Sequence, residues 1–138
     1  MYKRKIHITS FDHARLTALL NSPTLQAGLD KGHLARLKSE LERAVVVEPD
    51  KMPRDIITMN SKVRVLDMQT NEENEYTLVF PHAADIRKNN ISILAPIGTA
   101  LLGYKAGDII RWEVPAGTRV LKVLSVLYQP EAAGDYHL

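Results

Sequence analysis

The hydrophobic period changes partway along this chain, and that change limits the folds open to it. Before residue 48 the apolar residues recur at helical spacing: Leu16, Leu19 and Leu20, then Leu34, Leu37, Leu41 and Ala44. After residue 54 they alternate, as Val63 and Val65, then Tyr76, Leu78 and Phe80, then Ile110, Trp112 and Val114. Pro49 and Pro53 mark the stretch 48–54, where neither pattern holds. Helices gathered in front of strands point to an α+β chain. The expected division is a helical hairpin over 1–47, a linker over 48–54 and a sheet domain over 55–138.

Thr9 stands three residues before Asp12, the spacing of a helix cap, and Asn21-Ser22-Pro23 stops that first helix. A second helix is expected from about Lys31 to Val46, with its apolar seam spaced 3-4-3. A short connection makes the pair antiparallel. Strands are expected at about 62–68, at Tyr76–Phe80, at Ile91–Ile93, at Ile110–Val114 and at Thr118–Tyr128. The last carries apolar residues on both faces, which suits an inner position. Pro96 opens a brief helix that Gly103 closes. The reading is an antiparallel sheet packed on a short helix, with residues 129–138 as a tail.

Length and composition exclude several functions. The 138 residues allow one domain, or a full domain with a small appendage, and no apolar run approaches the ~18 residues needed to span a bilayer. Cysteine is absent, which removes thiol nucleophiles and Cys-based metal sites. A net charge of +2 is too weak for bulk attraction to nucleic acid, so any DNA contact is expected to be weak and salt-sensitive. The charge is uneven: residues 1–54 carry ten Lys and Arg against six Asp and Glu. A cytoplasmic monomer without cofactor is expected.

Few residues suggest chemistry. The five histidines never share an i,i+4 helical face, which argues against a His-based metal site. Asp12 and His13 read as capping and solvent-exposed residues. Asp30, near the hairpin tip, reads as a helix N-cap or as one metal-ligating carboxylate, and a single carboxylate is a poor Mg²⁺ site. Glu72, Glu73 and Glu75 read as a solvated turn, and the aromatics after residue 55 as core.

The segment Ile91–Gly117, ISILAPIGTALLGYKAGDIIRWEVPAG, resembles the C-terminal domain of bacterial transcript cleavage factors of the Gre family. Thr58–Val65 (TMNSKVRV) fits that family's entry into its first strand. The tail Tyr128–Tyr136 (YQPEAAGDY) is similar to one branch, the regulators of nucleoside diphosphate kinase, or Rnk branch. The resemblance implies an FKBP-like second domain and binding to RNA polymerase at the rim of its secondary channel. It places the polymerase-binding residues at Leu94, Ala95, Pro96 and Ile97. Leu94 and Ala95 stand where some Gre factors carry Asp and Ser, which alters the polar part of that contact. Gre factors reach the catalytic Mg²⁺ with a long coiled coil bearing two tip acids. Here the hairpin is far shorter and the stretch Ser22–Gly32 holds only Asp30, so the chain is expected to dock, compete with Gre factors and not cleave. Rival readings are a true cleavage factor, a prolyl isomerase by fold analogy alone, and a direct regulator of nucleoside diphosphate kinase.

Overall fold

The chain enters its fold through β1 (His7–Thr9), which pairs in parallel with β2 (Val45–Val47), His7 opposite Val45 and Thr9 opposite Val47. Between them lie α1 (Ser10–Leu20) and α2 (Lys31–Glu42). The computed structural model describes residues 6–21, 31–114 and 117–135. The second helix thus ends at Glu42, short of the expected Val46. Three consecutive β-branched valines lose side-chain freedom in a helix and suit an extended backbone, and β1 offers them a partner. Thr9 caps α1 as expected, its hydroxyl oxygen accepting from the Asp12 amide at 3.1 Å. His13, early in α1, donates from Nε2 to the Leu41 carbonyl, late in α2, at 3.1 Å, as an antiparallel pair requires.

A single 3-10 turn, Pro49–Lys51, follows β2 within the expected linker. Beyond it lies a five-stranded sheet of β3 (Lys62–Asp67), β4 (Glu73–Val79), β5 (Asn90–Ser92), β6 (Ile109–Val114) and β7 (Gly117–Tyr128), in the order β5-β4-β3-β7-β6. β7 is an inner strand, and β3 is the middle one. The pairs β3–β4, β3–β7 and β6–β7 are antiparallel, but β4 and β5 run parallel. That last pair departs from the antiparallel expectation. The chain folds back after β4 through two 3-10 turns, Pro81–Ala83 and Ile86–Lys88, and so re-enters in the same direction. β4 also begins earlier than expected, which puts Glu73 and Glu75 in a strand and not in a turn. Glu75 there meets Arg64 at 2.5 Å and Lys62 at 3.6 Å across the strands.

α3 (Pro96–Leu101) lies between β5 and β6 in the chain. One buried cluster joins everything: Ile8, Leu16 and Leu37 from the helical segment belong to it together with Met59, Val65 and Leu101. Gly103 shows how close the segments come. Its φ is +83°, and a Cβ there would lie 2.3 Å from the Ile6 Cβ. Only glycine tolerates both conditions.

The expected tail is partly ordered structure. Gln129 is buried, and its side-chain amide donates to the Pro53 and Ile56 carbonyls, each at 2.7 Å. α4 (Pro130–Ala133) follows, and the Tyr128 hydroxyl donates to Asp135. The C-terminus therefore fastens the segment before β3. Gln129→Ala leaves two carbonyls without that donor and is expected to cost about 2 kcal/mol. A fall in the urea midpoint at unchanged m-value would register it.

Candidate functional site

Residues 92–99 form a tightly bonded corner where β5 turns into α3. The Ser92 hydroxyl oxygen accepts from the Leu94 amide at 3.0 Å, and the Ser92 carbonyl accepts from the Ala95 amide at 3.0 Å. Thr99 locks the far side, donating from its amide to the Ala95 carbonyl at 3.0 Å and from Oγ1 to the Ile93 carbonyl at 2.6 Å. Ile93 and Thr99 are buried beneath the corner. Leu94 and Ile97 are half-buried and pack on the core, Ala95 is half-buried, and Pro96 supplies the first helical position. The structure thus brings the four expected contact residues together on one rigid bend. Gly98 makes the bend possible: a Cβ there would lie 2.1 Å from the Ser92 carbonyl oxygen.

A second cluster sits where the helical segment meets the sheet. Asp12 is not the exposed capping residue expected from its position; its side chain is only 1% exposed. Oδ2 accepts from the Met59 amide at 3.1 Å, and Oδ1 pairs with Arg15 at 2.5 Å. The Arg15 guanidinium lies 4.7 Å from the centre of the Phe80 ring, which stacks on His82. Thr58, next to Met59, donates to Glu131 of α4 at 2.7 Å. Burial pushes the Asp12 carboxyl up to about 6. Arg15 and the Met59 amide oppose that rise, and the charge of Glu131 adds to it. The reason for the burial is geometric. Thr9 ends β1 and starts α1, so the first helical turn is pressed against the Thr58–Ser61 turn that leads into β3.

The remaining expected residues are placed separately. Asp30 lies outside the described residues. Glu75 is held below its ordinary range, chiefly by its hydrogen bond from Arg64. Tyr76, Phe80 and Tyr104 pack against the core as half-buried side chains, in line with their alternation. Among the described residues no group of three or more His, Asp or Glu is placed to hold a metal ion, and no helix is long and apolar enough to cross a membrane. The 92–97 corner holds the partly accessible Leu94, Ala95 and Ile97 on a hydrogen-bonded backbone. The Asp12 cluster was not legible as a joint, because its key partner is 47 residues away.

Comparison with known proteins fits this geometry. Residues 52–128 match the family described as "Transcription elongation factor, GreA/GreB, C-term", and residues 4–47 match "Rnk N-terminus". A curated relative, the regulator of nucleoside diphosphate kinase of Escherichia coli (strain K12), is 42% identical over the full length of both chains. The transcription elongation factor GreA of Thermodesulfovibrio yellowstonii is 35% identical over 72% of this chain and 63% of that protein. Among solved structures, a prokaryotic transcription elongation factor GreA/GreB from Nitrosomonas europaea is 41% identical, with a TM-score of 0.75 over 91% of this chain and 100% of that one.

Proposed function

We propose, from the premise that this chain belongs to the GreA/GreB family and carries an Rnk-type N-terminal segment, that it is a cytoplasmic regulator of transcription that binds bacterial RNA polymerase without cutting RNA. Residues 55–138 are the docking body, 48–54 the connection and 1–47 a short arm. Contact is made at the secondary-channel rim through Leu94, Ala95, Pro96 and Ile97. The observation that carries this reading is the 92–97 corner. It lies inside the segment matched to the family, four hydrogen bonds hold it, and its Leu94 and Ile97 side chains stay partly accessible while packing on the core.

The arm supports the non-cleaving half of the proposal. α1 has 11 residues and α2 has 12, so each extends about 16–18 Å at 1.5 Å per residue. Asp30 brings one carboxylate, and a Mg²⁺ ion held by one carboxylate still needs most of its ligands from elsewhere. The two functions separate in an assay on stalled polymerase complexes. Wild-type protein is expected to give no stimulation of RNA hydrolysis; stimulation that Asp30→Ala abolishes would establish a cleavage factor instead.

The docking itself is tested by competition. The protein is expected to displace a GreA factor from core polymerase, and Ile97→Ala to weaken that displacement roughly tenfold, as loss of an apolar anchor does. Thermal unfolding of the variant separates lost contact from lost fold. A second reading, direct regulation of nucleoside diphosphate kinase, is favoured by the name of the 42% identical relative. Co-purification with the kinase, and no binding to polymerase, would replace the first reading with the second.

A further inference from the structure

Ile86 is the most exposed large apolar side chain among the described residues, at 91%, well above Phe11 at 57%. It is not on a loose loop. The Asp85 side chain accepts from the Arg87 amide at 3.0 Å, and the Asp85 carbonyl accepts from the Lys88 amide at 3.1 Å. Asn89 closes the turn in the left-handed region, φ +57°, its amide donating to the Ile86 carbonyl at 3.1 Å. Asp85 and Asn90 exchange two backbone bonds at the base, 2.9 and 3.0 Å, and the Asn89 carbonyl accepts from Thr77 of β4 at 3.0 Å. None of these bonds needs an isoleucine side chain. The turn would form with a polar residue at that position, at no loss to the core.

Two cations follow the tip in the chain and one acid precedes it. The Arg87 side chain is 92% exposed and Lys88 is also exposed. The neighbouring acid, Asp85, spends Oδ1 on the Arg87 amide and lies 3.8 Å from the Arg87 Nε. The turn thus presents an apolar tip in a positive setting. That chemistry is complementary to an apolar recess with an acidic rim on a protein. A phosphate backbone would reward the cations but not the isoleucine.

Position supplies the partner. β5 runs directly from this turn into the 92–97 corner, so the two lie at opposite ends of a three-residue strand, about 10 Å apart at 3.3 Å per residue. A standard interface patch of about 800 Å² is wide enough to span that length. We infer that the Asp85–Asn89 turn is a second contact of this chain with RNA polymerase, seating Ile86 in an apolar recess with Arg87 and Lys88 against its acidic rim. This rests on the docking reading proposed above. Because the turn is ordered before binding, little conformational freedom is lost on contact.

The test is the kinetics of the full chain binding core polymerase at several salt concentrations. Ile86→Ser is expected to dissociate about tenfold faster or more, with an unchanged association rate, salt dependence and Tm. Arg87→Glu combined with Lys88→Glu is expected to slow association and to weaken its dependence on salt. If Ile86→Ser binds like wild type while Ile97→Ala is weakened, the second contact is overturned and the docking reading stands. If only the charge reversal has an effect, the turn acts as a general cationic patch, such as nucleic acid would meet, and the inference is equally overturned. If wild-type protein does not bind polymerase, both readings fall together.

Discussion

Gly98→Ala is expected to lower the melting temperature by roughly 10 °C and to abolish displacement of GreA from polymerase. In an ordinary helix the same change stabilises by up to about 1 kcal/mol, because alanine restricts the unfolded chain. Here the sign reverses. The new Cβ would sit 2.1 Å from the Ser92 carbonyl oxygen and 3.2 Å from the Ile93 Cα, both backbone atoms that cannot rotate away. Relief requires α3 to lift from the end of β5. That strains the Ala95–Ser92 and Thr99–Ile93 hydrogen bonds and moves Ile97 with them. Overpacking of this kind costs about 3 kcal/mol, and for a chain of this size that corresponds to roughly 10 °C. Calorimetry checks the first effect and the competition assay the second. An unchanged Tm would mean that the corner is far softer than its bonding indicates.

Asp12 is expected to make the protein relatively more stable in mild acid. Its carboxyl titrates near 6 in the folded chain, from an ordinary value of 3.8, because burial outweighs the help of Arg15. The folded state therefore takes up a proton that the unfolded state does not. The stability gained this way is absent above pH 7, grows as pH falls through 6, and is complete below 3.8. Between pH 7.5 and 4.5 it amounts to about 2 kcal/mol. Asp12→Asn removes the titration and keeps an acceptor for the Met59 amide. Asp67 and Glu75 titrate below their ordinary ranges and so lose stability in acid. For that reason the informative quantity is wild type minus Asp12→Asn. Urea titrations of both proteins across this range should diverge in favour of wild type as pH falls. Parallel curves would show that the carboxyl is solvated after all.

How much of this was legible in the sequence follows from range. Local signals held: Thr9 caps α1, Pro96 opens α3, and the alternation at Val63, Leu78 and Ile110 marks strands with those side chains buried. The family resemblance, carried on ISILAPIGTALLG, pointed to the corner at Leu94–Ile97. Signals that depend on a distant partner did not show. Val45–Val47 continues a helical seam as easily as it starts a strand, and only pairing with β1 decides between them. The direction of β5 is set by the turns before it and not by its own residues. Asp12 at a helix start is an ordinary cap until Met59 arrives to bury it. Ile86 was one apolar letter in a polar loop, and its exposure on a rigid turn is visible only in three dimensions.

The parallel pairing of β1 with β2 has a mechanical consequence. Both ends of the helical arm are gripped at one place, with Ile6 wedged against Gly103 and Asp12 tethered to Met59. An arm clamped at its root behaves as a cantilever: its bearing is set at the clamp and its reach by its length. The two are then independent variables. Seven residues added to each helix would carry its far end roughly 10 Å further along the same line. In such a design a long probe and a short stub can share one mount.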